Sequence, residues 1–404
     1  MVVKNIPFVV ETANRTSNSV MFATIPFNAI LHSLGTDSLE ERWFTLFETD
    51  WKGNFKHQVP MQCDFSSNKI YWILPSGQQP RARFYTLRID TSSKTDTVSS
   101  DGKVEVKDDG KVLKFIVGGD EFAVYRYSDE WKPFFHPVNS PYGSVTRGRG
   151  VEHPHQHGLW ITYGGEGTGP TGMWSEQTGP PLGPNGRMVH KCFRILKSGP
   201  IFAHVVEELD YVRGDNGAKF GHEIRDIKVY NLPSDQRIID FHLAIAPPDD
   251  MTINRRIAFS VRVADSMRIT KLTKGYGIEN APRLERPGKI INSEGWMQYR
   301  DRQRGNSMPA KWIDFSGPVG NGWAGITLMD HPTNIDYPSN IGGRAYGCVG
   351  IHKKYPSTIP VGGRAFLELK FRAYVHVGDG EEANSDGKWN DFAKAPVVVI
   401  GDPL

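Results

Sequence analysis

The sequence contains few cysteines and no long apolar run. Its 404 residues include 3 cysteines, which lie far apart and are odd in number, so they predict no disulfide framework. No stretch reaches the roughly 18 to 20 apolar residues that a membrane helix requires. The opening segment MVVKNIPFVVETANRTSNSV lacks the uninterrupted apolar core of a signal peptide, because Lys4, Glu11 and Arg15 interrupt it. We therefore expect a cytoplasmic protein with no membrane partner.

An excess of one charge and several well-known catalytic motifs are also missing. The 48 basic and 45 acidic residues are intermingled and give a formal net charge of +3. This balance does not provide the concentrated basic surface that binding to a phosphate backbone needs, so nucleic acid is not an expected partner. The sequence has no GxSxG elbow, no P-loop and no CxxC pair. Serine-hydrolase and nucleotide-dependent transfer chemistry therefore have no support in the sequence.

Glycine, proline and aromatic residues are abundant, which is typical of a turn-rich β protein. The chain has 42 glycines, 27 prolines and 11% aromatic residues. In the segment 104–127, the pair Asp109-Gly110 and the glycines from Gly118 onward predict three strands joined by tight turns. Helices are expected only near residues 38–47 and 387–394. These patterns predict an all-β fold that contains a large antiparallel β-sandwich.

A polar segment rich in serine and threonine, residues 91–103, predicts a domain boundary. Residues 1–95 are expected to form a smaller N-terminal β domain. Residues 104–404 are expected to form the larger β-sandwich domain, which carries the functional site.

The segment EHPHQHGLW, residues 152–160, places three histidines at every second position. In an extended chain the side chains of His153, His155 and His157 would project to one face. Two histidines with this spacing can bind one metal ion, with further ligands from elsewhere, such as Glu152, His190, Glu223 or His331. The alternatives are acid and base catalysis without a metal, or a solvated surface stretch.

Other polar and aromatic residues surround this segment. Arg147 precedes it, and an arginine fork suits carboxylates or sugar hydroxyls. Trp160 and Trp174 could stack on a sugar ring, although packing in the core is an equal alternative. Trp174 lies in a loop from Gly164 to Arg187 that is rich in glycine and proline. Loops of this length inside a compact domain are usually functional.

A second group of candidates lies in MDHPTNIDYPSNIGGRAYG, residues 329–347. Asp330, His331, Asn334 and Arg344 crowd a loop interrupted by proline and glycine, which indicates either a site or a network of Asx turns. Glu223 shares one face of a predicted strand with Arg225, so a buried ion pair is the structural alternative for that glutamate.

Four segments resemble the bacterial PmoA-like family, DUF6807, which carries the label "methane oxygenase PmoA". These segments are residues 133–148, 152–160, 291–317 and 329–347. In the second segment the family pattern is acidic-His-Pro-His-His-Arg-Ser-Leu-Trp, and six residues match it: Glu152, His153, Pro154, His155, Leu159 and Trp160. Gln156 and His157 depart from the pattern, so the resemblance favours His153 and His155 over His157 as site residues.

The resemblance implies a soluble β-sandwich found in sugar-catabolic settings, beside oxidoreductases that act on sugars. The activity does not follow from the label, because the methane monooxygenase subunit of that name is a membrane protein and this chain has no spanning segment. The resemblance also implies further family positions: His190, Glu223, Asp330, His331, Asn334, Arg344 and Tyr346.

The leading hypothesis is a carbohydrate-active enzyme, a hydrolase or lyase that acts on a glycoside or modified sugar. The expected catalytic residues are His155, His331 and Glu223, and a divalent metal ion would be held by His153, His155 and His190. The expected substrate-binding residues are Arg147, Trp160, Trp174, Asn334, Arg344 and Tyr346. The alternatives are a metal-free sugar epimerase or mutarotase and a non-catalytic carbohydrate-binding protein. An oxygenase follows only from the family label and needs at least two histidines and a carboxylate on iron.

Overall fold

A computed structural model describes residues 3–34, 38–93, 103–150, 153–164, 169–176, 178, 183–246, 257–271, 284–295, 308–353 and 367–401. The chain divides into two compact units. The first unit comprises residues 1–104, 199–202 and 387–404, and the second comprises residues 105–198 and 203–386.

The described chain is built mainly of short β-strands. Strands β1 to β13 are Val3–Glu11, Val20–Thr24, Phe44–Thr49, Phe55–Val59, Gln62–Asp64, Lys69–Ile73, Ala82–Asp90, Val104–Asp108, Val112–Val117, Asp120–Arg126, Phe134–Ser140, Gly143–Ser144 and Leu159–Tyr163. Strands β14 to β26 are Arg187–Lys197, Phe202–Val212, Lys219–Tyr230, Gln236–Ala246, Ile257–Arg262, Lys289–Asn292, Met308–Pro309, Trp312–Val319, Gly322–Asp330, Asn340–Arg344, Cys348–Lys353, Leu367–Val377 and Val398–Ile400. Helix α1 is Phe27–Leu34, helix α2 is Ser385–Ala393, and single 3₁₀ turns span Glu41–Trp43, Gly169–Thr171 and Asp265–Met267.

The first unit contains two antiparallel sheets, one in the order β26-β1-β7-β3-β4 and one in the order β2-β6-β5. Their inner faces meet in an aromatic core, where the Phe8 ring lies 5.7 Å from that of Trp72 and 5.5 Å from that of Tyr85. Residues 387–404 are part of the predicted second domain, 104–404. The structure places them in the first unit, because β26 pairs with β1.

The helix expected over residues 38–47 is wrong, since this stretch contains only the 3₁₀ turn Glu41–Trp43 followed by strand β3. Phe44 and Leu46 are fully buried and alternate with partly exposed residues, as a strand with one face on a core requires. Leu46 lies opposite both Leu87 and Val59, so β3 is an interior strand of its sheet. Cross-strand packing of Phe44 and Leu46 here outweighs the helical preference of the predicted segment SLEERWFTLF. The helix expected at 387–394 is present as α2, whereas α1 had no sequence prediction.

The second unit is a large β-sandwich. One sheet has the order β20-β23-β24-β18-β13-β11-β10-β9-β8, with β12 paired to β11, and the other has the order β14-β15-β16-β17-β25-β22-β21-β19. Their facing sides are joined by a chain of buried rings, in which Phe241 of β17 lies 5.8 Å from Phe135 and 5.3 Å from Phe259. Phe371 of β25 continues this core, 4.9 Å from Phe259. The predicted all-β antiparallel sandwich is confirmed.

The sheet order determines where the candidate site lies. Leu159 at the start of β13 pairs with Val261 near the end of β18, and Arg262 at that end pairs with Cys348 at the start of β24. The start of β13, the end of β18 and the start of β24 therefore lie at the same edge of the sheet. None of the described helices has the length and apolar character that a membrane crossing requires.

Candidate functional site

Residues 153–158, immediately before β13, form a turn rather than an extended strand. The Gln156 amide donates to the His153 carbonyl at 2.8 Å, and His153 has a φ of +48°, in the left-handed region. Gly158 has a φ of +63°, and a Cβ added there would lie 2.1 Å from the Phe135 carbonyl oxygen, so a glycine is required. This corrects the expectation that the three histidines share one face of an extended segment.

His157 points into the protein, where Glu176 gathers several cations. The His157 imidazole is fully buried, and its Nε2 lies 2.7 Å from Glu176 Oε1. The Lys132 ammonium donates to the same carboxylate oxygen at 2.8 Å and to the His155 carbonyl at 3.1 Å. Arg149 lies 2.9 Å from the other carboxylate oxygen. Lys132, Arg149, His157 and Glu176 are called the Glu176 cluster below.

Burial and mutual attraction act in opposite directions on the charges of the Glu176 cluster, and burial lowers the pKa of Lys132 against the effect of Glu176. Burial opposes ionisation of Glu176, but the hydrogen bond from His157 and the charge of Lys132 outweigh it and lower the pKa of Glu176 to about 2. Burial lowers the pKa of His157 to about 4, despite the opposing effect of Glu176. Because a carboxylate only accepts, the neutral His157 ring carries its proton on Nε2. The cluster thus attaches the glycine-rich loop to the histidine turn.

His153 and His155 remain together on the outer side of the turn. Their ring centroids are 5.9 Å apart, and the His153 ring stacks on Tyr346 at 5.1 Å with an interplanar angle of 12°. The His155 imidazole makes no hydrogen bond to any residue that the structure describes. Burial, reinforced by the nearby charge of Lys132, lowers the pKa of His155 to about 4. His155 is therefore a neutral, partly accessible base at neutral pH.

Arg262 forms the other wall of the site. Its side chain is fully buried, its guanidinium lies 4.6 Å from the Tyr346 ring centroid, and Nη1 donates to Gln156 Oε1 at 3.3 Å. Backbone hydrogen bonds join the three segments: Gly158 donates to Arg147, Arg147 to Arg262, and Arg262 to Gly158. Burial raises the pKa of Tyr346 to about 12, so its hydroxyl stays protonated. The site thus comprises His153, His155, Arg147, Arg262 and Tyr346.

Glu223, predicted as catalytic, lies elsewhere. It is fully buried on β16, where it accepts from Tyr211 and, at 2.6 Å, from Arg225 Nε. Arg225 also contacts the Tyr125 hydroxyl, which donates to Glu207. The glutamate is thus held in a buried ion pair, which is the structural alternative that the sequence allowed. Its role as a catalytic partner of His155 stays a prediction.

His190, predicted as a metal ligand, lies on β14 in contact with other groups. Its Nδ1 lies 2.7 Å from Glu207 Oε1, and its ring packs 4.5 Å from Tyr127. Within the described ranges no three His, Cys, Asp or Glu side chains are arranged to hold a metal ion. His153 and His155 therefore do not form such a group with His190 or with His331.

His331 and Asn334 belong to a structured loop after β22. His331 Nδ1 accepts from the amide of Thr333 at 3.2 Å. Asn334 donates to the buried Asp330 at 2.8 Å and accepts from the Lys370 amide at 2.7 Å. Asp330 also pairs with Lys353 at 2.8 Å, and both side chains are fully buried. The amide of Asn334 therefore stabilises the loop, and its assignment to substrate binding stays a prediction.

The aromatic and arginine candidates divide into three cases. Trp160 is only 3% exposed, opposite Phe134 and Ser260 within its sheet, so it has no face for a sugar ring and its stacking role is corrected. Trp174 is half-buried, with its ring 6.0 Å from that of His352. Arg344 is exposed at the end of β23, and its charge acts on Tyr346.

The structure adds three residues that sequence reasoning missed. Lys132 gave no signal, since it lies in an unremarkable segment between two strands. Glu176 lies inside the glycine-rich loop from Gly164 to Arg187, but no sequence feature distinguishes it from its neighbours in that loop. Arg262 did give a signal, because it is a charged residue in the apolar run IAFSVRV. A charge in such a run needs a partner or a ligand.

Two solved structures resemble this chain over about half of their own length. One is a crystal structure of a protein in glycosyl hydrolase family 38 from Enterococcus faecalis, with a TM-score of 0.49 and 9% identity, covering 98% of this chain and 47% of the other. Another is an alpha-mannosidase from Enterococcus faecalis V583, with a TM-score of 0.47 and 9% identity, covering 98% of this chain and 46% of the other. This chain thus spans about half the length of these structures. No curated protein matches it. A family profile matches residues 113–390, and the chain belongs to that family, the family of unknown function DUF6807.

Proposed function

We propose that the protein is a carbohydrate-active enzyme of the lyase type, in which His155 removes a proton from a carbon atom of the substrate. The observation that carries this proposal is the state of His155. Its ring is neutral, partly accessible and without a hydrogen bond to the described residues, and it lies beside His153, whose ring stacks on Tyr346, which in turn packs on Arg262. A structural histidine at such a position would normally have its ring nitrogens paired.

The proposed step transfers one proton and one electron pair. His155 accepts the proton, and the electrons of the broken C–H bond form a double bond to the neighbouring carbon as the leaving group departs with its own bonding pair. A positive guanidinium nearby stabilises the negative charge that develops before the leaving group departs. Return of the proton to the opposite face, without loss of a leaving group, would make the same site an epimerase.

Elimination is favoured over hydrolysis by the carboxylates present. Glycoside hydrolysis generally uses two carboxyl groups roughly 5 to 10 Å apart. Two described carboxylates act on the site residues: Glu176, which is bound to Lys132 and Arg149 and acts on His155 through its charge, and Asp265, which pairs with Arg147. Both are held by cations, so neither provides the free acid or nucleophile of a glycosidase.

The metal predicted from the histidine spacing does not enter this mechanism. A divalent ion needs three or more protein ligands at such a site. No third His, Cys, Asp or Glu among the described residues joins His153 and His155, and Glu152, which the sequence also offered as a ligand, lies outside the described residues. The oxygenase suggested by the family label needs the same third ligand. We therefore assign no catalytic step to a metal ion.

The test measures proton abstraction on defined sugars. The full-length protein is incubated in D₂O with glucuronate, galacturonate, gluconate, glucose and maltose, and proton NMR detects solvent exchange and unsaturated products. His155→Gln should lower turnover at least about 100-fold, since general base catalysis contributes about 10²- to 10⁴-fold. The control His57→Gln changes a histidine whose side chain is 62% exposed in the first unit, and should leave turnover unchanged.

Two results would reject the proposal. One is a His155→Gln variant that retains wild-type turnover. The other is a wild-type protein that binds sugars but exchanges no proton and forms no product, which would indicate a carbohydrate-binding protein. In the wild type, kcat/KM should also fall as the pH drops through about 4, where His155 gains a proton.

A further inference from the structure

Arg262 is a buried cation without a described counter-ion. Its side chain is 0% exposed, and none of the carboxylates that the structure describes forms an ion pair with it. Nη1 reaches the amide oxygen of Gln156, while Nε and Nη2 have no hydrogen-bond partner within the described ranges. Burial accordingly lowers its pKa, and the charges of Arg147 and Arg268 act in the same direction.

Two neighbouring arginines also have buried guanidinium nitrogens without a described hydrogen-bond partner. Nη1 of Arg147 and Nε of Arg268 are buried and also lack a hydrogen-bond partner among the described residues. One carboxylate, Asp265, contacts both arginines, and its side chain is 62% exposed. Among the described residues, one mostly exposed carboxylate therefore faces two of these three guanidinium groups and none faces Arg262, which leaves an excess of positive charge around Arg262.

Such an arrangement costs free energy in the unliganded protein. A buried polar group without a hydrogen bond loses its hydration, and a buried charge without a partner loses more. Buried arginines are usually paired with a carboxylate, as Arg225 in the same unit is with Glu223 at 2.6 Å. Arg262 has instead the ring of Tyr346 on one face and open donors on its edge. Planar donors of this kind match a carboxylate or phosphate oxygen pair.

We propose that Arg262, together with Arg147 and Arg268, binds the oxyanion of an acidic sugar, either a carboxylate or a phosphate ester. This deepens the proposed function and depends on it for the assignment of the ligand as the substrate. A carboxylate held by these guanidinium groups would acidify the C–H bond on its adjacent carbon. That carbon is the one from which a neutral base such as His155 can remove a proton.

The experiment is isothermal titration of the full-length protein, with thermal unfolding measured in parallel. The probes are glucuronate, glucose 6-phosphate, glucose and sodium sulfate. An acidic sugar should bind with a Kd about 10- to 100-fold lower than that of glucose. This ratio corresponds to the free energy that a hydrogen bond to a charged group contributes. Tighter binding of glucuronate identifies a carboxylate ligand, and tighter binding of glucose 6-phosphate identifies a phosphate ester.

Two buried arginines provide matched variants. Arg262→Met should unfold at the wild-type Tm or above, because an unpaired buried charge is removed, and should lose the preference for acidic sugars. Arg225→Met should lower the Tm by roughly 5 °C or more, because Glu223 is left unpaired. If Arg262→Met does not fold, Arg262→Lys should keep the charge but weaken acid binding at least about tenfold, because the planar fork is lost.

The inference is overturned if the wild type binds glucose as tightly as both acidic sugars, or if the Arg262 variant that folds keeps its acid preference. His155→Gln separates this inference from the proposed function, because it should retain acid binding while losing turnover. Acid binding through Arg262 by a wild type that performs no chemistry would support the subsite and reject the enzyme.

Discussion

The ion pair between Lys132 and Glu176 provides a direct test of how the glycine-rich loop is held. The two side chains are 0% and 4% exposed, and the Lys132 nitrogen lies 2.8 Å from the carboxylate. Replacing Glu176 by glutamine keeps the shape and one acceptor but removes the charge. Lys132 would then be a buried cation without a counter-ion. Removing one partner of a buried pair costs about 3 to 5 kcal/mol, and the retained acceptor favours the lower value.

The cost should appear as easier opening of the loop. Two backbone hydrogen bonds report on it, from the Met173 amide to the Tyr163 carbonyl at 3.1 Å and from the Gly186 amide to the Gly172 carbonyl at 2.9 Å. A loss of about 3 kcal/mol corresponds to roughly 150-fold faster exchange, since about 1.4 kcal/mol is tenfold. Hydrogen exchange of these amides in wild type and Glu176→Gln is the measurement, because it reports local opening.

Two further variants make the result decisive. The double variant Lys132→Met/Glu176→Gln removes both charges and should recover most of the protection. Glu105→Gln removes an exposed ion pair in the same unit, where Lys107 is 61% exposed, and should change exchange by less than about fivefold. If Glu176→Gln alone changes exchange by no more than the Glu105 control, the carboxylate does not hold the loop and the reasoning fails.

Two other predictions concern the stability of buried polar groups. The pKa of His157 is about 4, against 6.5 for an ordinary histidine, so between these values the unfolded chain binds a proton that the folded protein excludes. The contribution of His157 to the free energy of unfolding should be fully present above about pH 6.5 and should fall by about 3 kcal/mol as the pH drops to about 4. Urea unfolding of His157→Gln over the same pH range should lack this decrease. Asp330→Asn leaves the fully buried Lys353 unpaired and should cost about 3 to 5 kcal/mol in thermal unfolding. A cost below about 1 kcal/mol would mean that Lys353 does not depend on Asp330.

Much of the second unit was predictable from local pattern. The three strands expected within residues 104–127 are present as β8, β9 and β10, because β-branched and aromatic residues recur there between clear turn signals. The Asp109-Gly110 turn is present, with Gly110 at a φ of +87°. The segment around Phe44 was not predictable in this way, because its strand depends on partners such as Leu87 that lie far away in the sequence.

The site was predictable only where its residues are neighbours in sequence. His153 and His155 are adjacent in the turn, and the resemblance had already favoured them over His157. The partners of the turn come from a distance: Glu176 lies 44 positions from Lys132, and Arg262 lies 106 positions from Gln156. Spacing alone contains no information about such contacts. The predicted grouping with His331 and Glu223 likewise rested on no contact that spacing could show, and in the structure these residues contact Thr333 and Arg225 respectively.

The buried pair of Arg225 and Glu223 has a consequence for how the two sheets of the sandwich align. Tyr125 belongs to one sheet, while Arg225, Glu223 and Glu207 belong to the other. Rings such as Phe241 and Phe259 would tolerate a small displacement of one sheet along the other, because apolar contact has little direction. A displaced Tyr125 would lose both Arg225 and Glu207, so buried charges would lose a hydrogen bond that water could not replace. The hydrogen bonds that link Tyr125 to Arg225 and Glu207 thus favour one alignment of the two sheets over the small displacements that the apolar core would tolerate.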